Sequence, residues 1–129
     1  MKTKGFYKFS FLLLAVVGLM AFTTQDTKEI TVDKTVHDFG VISEDGGNVS
    51  ATFILTNNTD EAIVLTSVRA SCGCTAANWT KEPFEPGKTG EVVATYSPKG
   101  RPGPFEKTVT ITTTGNPEKF VVRIKGSVE

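Results

Sequence analysis

Downstream of residue 30 the chain repeats one pattern, short runs in which apolar and polar side chains alternate, cut apart by clusters of Gly, Pro, Asn and Asp. A period of two places every apolar side chain of a run on the same face of an extended strand. The last two runs are the clearest. Phe105, Lys107, Val109 and Ile111 alternate with Glu106, Thr108, Thr110 and Thr112, and Phe120, Val122 and Ile124 alternate with Lys119, Val121, Arg123 and Lys125. Between them Thr114-Gly115-Asn116-Pro117-Glu118 breaks the strand and makes a hairpin-like connection. Upstream, Val49, Ala51, Phe53 and Leu55 form a third such run, Glu61 to Val68 and Gly90 to Tyr96 supply two more, Ile30 to Val36 opens the series, and Ala76 to Thr80 is a seventh. Nowhere after residue 30 does an apolar period of 3.6 persist for three turns, so helix is at most a short turn.

About seven short strands with regularly spaced turn signals predict an all-β fold, an immunoglobulin-like antiparallel β-sandwich over residues 30–129. Its inward set is Val49, Ala51, Phe53, Leu55, Val92, Ala94, Val109, Ile111, Phe120, Val122 and Ile124. The 129-residue length allows one such domain.

The N-terminus reads differently. Lys2, Lys4 and Lys8 precede an almost wholly apolar run from Phe9 to Phe22, the charged and apolar regions of a signal peptide. That run is shorter than the roughly 20 residues a bilayer span needs, so residues 1–24 are expected to be a cleaved signal, leaving a polar lead at 25–29 and no stable membrane insertion. No Cys stands directly after the run to carry a lipid. An exported chain, periplasmic or secreted, is the expectation.

Without residues 1–24 the chain keeps 11 of its 14 Lys and Arg against 14 Asp and Glu. The mild acidity, with charges scattered singly, lacks the basic footprint that a polyphosphate backbone requires, so nucleic acid is not an expected partner.

Both cysteines lie in Ser71-Cys72-Gly73-Cys74-Thr75. A spacing of two puts both thiols on one face of an extended segment, and Gly73 permits a tight bend that brings the sulfurs together. Three chemistries are open. A disulfide would suit an oxidising compartment, although a bridge over one residue closes a small, strained and easily reduced ring. Paired thiolates at Cys72 and Cys74 would suit Cu(I), or half of a Zn site. Thiol exchange with a partner is the third. Only His37 could add an imidazole, and beside Asp38 it reads as a solvated pair, with Phe39 and Gly40 as a core plug and turn after the first strand. Trp79 and Tyr96 read as core aromatics. No Ser is marked as a nucleophile and no pair of acids stands out, so the domain is not expected to be an enzyme.

The order Asp38-Phe39-Gly40, Thr52-Phe53 running into Asn57-Asn58-Thr59, Ser71-Cys72-Gly73-Cys74-Thr75, Pro86-Gly87 and Ile124-Lys125-Gly126 resembles the bacterial domain of unknown function numbered 1573, over about residues 30 to 128. The resemblance implies an immunoglobulin-like sandwich similar to those of pilus chaperones and the major sperm protein, an exported location, and attention to Cys72 and Cys74; it implies no enzyme class. The resulting expectation is a binding or assembly module that holds a protein or envelope component through an edge strand or loops, with no cofactor. A metal or thiol-redox role at Cys72 and Cys74 is the alternative.

Processing provides the first test. Intact mass of the exported protein is expected to place the new N-terminus between Phe22 and Asp26; a full-length chain held in the inner membrane would show an anchor instead.

Overall fold

The computed structural model describes residues 28–129, so the expected signal segment at 1–24 and its expected cleavage site lie outside the described residues. Eight strands follow in order: β1 (Ile30–Val32), β2 (Val36–Ile42), β3 (Val49–Asn57), β4 (Leu65–Ala70), β5 (Thr75–Trp79), β6 (Thr89–Tyr96), β7 (Gly103–Thr113) and β8 (Lys119–Val128). They form two four-stranded sheets, β1-β3-β6-β5 and β2-β8-β7-β4, packed face to face as an all-β immunoglobulin-like sandwich. No described helix is long and apolar enough to cross a membrane.

The alternation in the sequence produces this packing directly. In β3 every second residue from Ala51 to Asn57 is buried, and Ala51, Phe53 and Leu55 stand opposite Ala94, Val92 and Gly90 of β6. Val109 and Ile111 of β7 face Val122 and Phe120 of β8 in the other sheet. Nine of the eleven expected inward side chains are buried, while Val49 and Phe120 are half-buried and pack against the core. Ile30, Ile63, Leu65, Val68, Phe84 and Val128 extend that core. Tyr96 of one sheet stacks on Phe105 of the other, ring centroids 3.9 Å apart and nearly parallel, which ties the sheets together where β6 ends.

Four expectations change. The opening run is two strands, because Asp33 interrupts it: its N–H bonds the Ile54 carbonyl at 3.0 Å while its carboxylate accepts the Ile54 N–H at 2.9 Å. The second of these strands pairs with β8 in parallel, so the sandwich is not wholly antiparallel. Phe39 and Gly40 sit within β2 and not in a turn after it. Gly40 has φ of 68°, a left-handed conformation that costs glycine little, and the β2–β8 register shifts there as a bulge. The bulge passes so close to β8 that a Cβ at Gly126 would lie 2.9 Å from the Gly40 carbonyl oxygen. Finally, Glu61 to Val64 adds only the isolated bridge Ile63–Phe84, and the strand proper runs from Leu65 to Ala70.

At one end of the sandwich a buried polar side chain organises the loops. Asn57 donates to the carbonyls of Glu61 (2.7 Å) and Phe84 (2.9 Å), and its Oδ1 accepts the Thr59 N–H and hydroxyl at 2.9 and 2.6 Å. Its backbone bonds Lys88 and Gly87 as well. Each hydrogen-bonding group of this fully buried residue is thereby used, which is what makes its burial tolerable. Asn57→Leu is expected to strand those partners and lower unfolding stability by roughly 3 kcal/mol. Asn58→Ala, which removes only the exposed bond to Thr31, should change it by no more than about 0.5 kcal/mol in the same urea titration.

Candidate functional site

The chain changes sheets between β4 and β5, from the edge of one sheet to the edge of the other, and Cys72-Gly73-Cys74 makes that turn. The pair therefore follows directly on β4. Its entry is held by two bonds to β7: the Ser71 N–H donates to the Thr108 carbonyl at 2.9 Å, and the Thr108 N–H donates to Ser71 Oγ at 3.1 Å. On its far side the Ser97 N–H donates to the Cys74 carbonyl at 3.0 Å, and Thr75 already pairs with Tyr96.

Within this frame Cys72 and Cys74 are joined by a disulfide, their Cα atoms 5.3 Å apart. The convergence that the spacing implies is thus present. The two sulfur-bearing residues differ in exposure: Cys74 is buried against the core, while Cys72 is half-buried and flanked by exposed Ser71 and Gly73. The Cys74 N–H points at Cys72 Sγ, 3.2 Å away, and the Thr75 hydroxyl lies 3.8 Å from Cys74 Sγ.

A bridged pair offers no thiolate to a metal, and among the described residues no three His, Cys, Asp or Glu side chains converge as a metal-holding group. A Cu(I) or Zn site at Cys72 and Cys74 would thus require reduction first and ligands from elsewhere.

The other singled-out side chains have structural occupations. The His37 ring packs edge-on against Phe39 and its Nδ1 lies 3.3 Å from Lys34 Nζ, while Asp38 turns back to accept the Gly40 N–H at 2.8 Å. His37 and Asp38 therefore engage different groups. Tyr96 is buried in the cross-sheet stack. Trp79 stands opposite Val92 on the inner face of β5, half-buried against the core, with the Lys81 ammonium over its ring.

One feature escaped sequence reasoning. β2 is an edge strand bonded only to β8, and it carries two of the large hydrophobic side chains most exposed to water, Val36 (45%) and Val41 (65%). The bulge at Gly40 reverses the alternation, so Phe39 and Ile42 face the core while Val41 faces solvent. A glycine inside an alternating run was the available signal. Beside this strand lies a shallow open depression of about 500 Å³, lined in part by Asp38, Gly40, Glu106 and Lys125.

Replacing both cysteines by serine is expected to lower stability only modestly, on the order of 1 kcal/mol, because a bridge across one residue removes little entropy from the unfolded chain. Urea unfolding measures this, and amide exchange should show the β4–β7 and β5–β6 ladders still protected.

Comparison with known proteins follows the fold more than the site. No curated protein matches the chain. A protein of unknown function from Porphyromonas gingivalis W83 is similar in structure, with TM-score 0.66 and 15% identity over 77% of this chain and 46% of that one. This chain thus spans under half of that protein's length. The YadV chaperone is similar at TM-score 0.51 and 12% identity, over 78% of this chain and 51% of that one. WR4, a C. elegans MSP family member, matches at TM-score 0.51 and 10% identity over 79% of this chain and 99% of its own. At such identities the likeness is one of fold. The sequence itself goes further: residues 30–128 match the family described as protein of unknown function (DUF1573), and the chain belongs to that family.

Proposed function

We propose that this chain is an exported binding module of the bacterial cell envelope, without catalytic activity of its own, which holds an extended segment of a partner protein along the free edge of β2. The observation that carries the reading is that edge with its exposed Val36 and Val41. A strand whose outer side is unbonded can accept another strand through main-chain hydrogen bonds, and exposed apolar side chains beside it give the added strand something to cover.

Of the other edges, β5 is shorter, with five residues against seven, and β1 and β4 fit less well. β1 is three residues long, too short for a stable added ladder. β4 carries the charged Arg69 within six residues and runs beside β5 at the sheet-switching turn. β2 offers seven residues with no Pro and no Lys, and its single carboxylate, Asp38, is folded back onto its own strand. Proteins that must keep an edge unpaired usually place Pro, Lys or bulges on it, and of these β2 carries only the bulge at Gly40. The chaperone and MSP-type likenesses in fold are consistent with a module that binds, and the signal-like N-terminus supports export.

The test is to place a blocker on the edge. Val41→Lys and Val36→Lys together are expected to weaken retention of an envelope partner at least about tenfold, near 1.4 kcal/mol, with the unfolding midpoint little changed. Thr66→Lys on β4 should leave retention intact. Equal retention by both variants would place the binding surface elsewhere and defeat the reading.

A further inference from the structure

We infer that the Cys72–Cys74 bridge is a thiol-exchange site, opened by a dithiol of a partner protein or small molecule that attacks Cys72. This goes beyond the binding role and does not rest on it. Four observations converge. Access is unequal: Cys72 is partly buried at the margin of the core, between exposed Ser71 and Gly73, while Cys74 is buried at 7% exposure, so Cys72 is the more open of the two to an incoming thiolate. The turn is fixed from both sides by bonds that do not involve sulfur, those of Ser71 with Thr108 and of Cys74 with Ser97, so the bridge can open while the strands stay paired. Each sulfur has a hydrogen-bond donor beside it for the moment it becomes a thiolate, the Thr75 hydroxyl for Cys74 and the Cys74 N–H for Cys72.

Charge is the fourth. From Arg69 to Thr80 the chain carries no acid. Arg69, three residues before Cys72, is the one charged side chain in that stretch. An anionic thiolate therefore meets no carboxylate from the turn itself or from β5.

The step balances as a two-electron exchange. One thiolate of the dithiol attacks Cys72 Sγ, a mixed disulfide forms, and the electron pair of the broken S–S bond leaves on Cys74 Sγ, which takes a proton from water. The second thiolate of the dithiol then attacks the dithiol's first sulfur in the mixed disulfide, and the electron pair of that S–S bond leaves on Cys72 Sγ, which also takes a proton from water. The dithiol ends as a disulfide and the protein gains two electrons and two protons. Reversal by an external disulfide restores the bridge.

Two measurements on the purified full chain test this. With dithiothreitol as probe, the rate of bridge opening, read by alkylation and mass spectrometry, is expected to rise in proportion to dithiothreitol while circular dichroism keeps its strand signal. A rate independent of thiol concentration would mean that the bridge opens only when the protein unfolds, and would overturn the inference. In the second, oxidised glutathione is added to the single variants. Cys74→Ser, which leaves Cys72, should form the glutathione adduct at least about tenfold faster than Cys72→Ser. Equal or reversed rates would also overturn it; if either variant fails to fold, the dithiothreitol series on the unaltered protein decides alone.

Discussion

Four strands, β3 with β6 and β7 with β8, carry side chains that water must not reach, and the remaining parts are arranged around closing those two faces on each other. Burial of apolar surface, roughly 25 cal/mol for each Å² removed from water, is the term large enough to offset the entropy of ordering the chain. It fixes the registers, since a slip of one residue would turn Phe53, Val92, Val109 and Val122 outward together. It also determines where unmet bonding capacity must fall. Main-chain groups in the middle of each sheet are paired, and loops such as those around Asn57 are satisfied by buried side chains, so unpaired backbone is left to the edges. Both surfaces of functional interest are at edges for that reason.

How much of this was legible in the sequence follows from which interactions are local. The strands β3, β6, β7 and β8 could be read because a half-buried strand writes its own period. The division of the first run at Asp33 could not, since it depends on bonds to Ile54 more than twenty positions away. The parallel pairing of β2 with β8 leaves no local mark either. Of the cysteine pair, the convergence of the sulfurs was readable from the spacing, and Gly73 from its freedom; its place at the crossing between sheets was not, because sheet membership belongs to partners elsewhere in the chain. Val41 was invisible as an exposed side chain because the left-handed Gly40 shifts the alternation by one.

The two surfaces stand on opposite flanks. In the sheet that contains both β2 and β4 they are the outermost strands, with β8 and β7 between, and the cysteine turn follows directly from β4. A strand laid along β2 would therefore leave Cys72 uncovered, and a thiol partner at Cys72 would leave Val36 and Val41 uncovered. Tyr96 and Phe105 lie between, and Phe39 of β2 packs on Phe105 with ring centroids 6.4 Å apart. The three rings lead from β2 to Tyr96, whose backbone pairs with Thr75 beside the cysteine turn.

The parallel pairing also has a bearing on how the molecule is assembled. A chain threaded out N-terminus first presents β2 early, but the strand that completes it is the last to emerge, and a parallel neighbour cannot be supplied by a hairpin. Until then both sides of β2 are unsatisfied, and contacts so distant in sequence form slowly. The interval between the emergence of β2 and that of β8 is the one in which neighbouring nascent chains could capture each other, and it lengthens with every pause in synthesis.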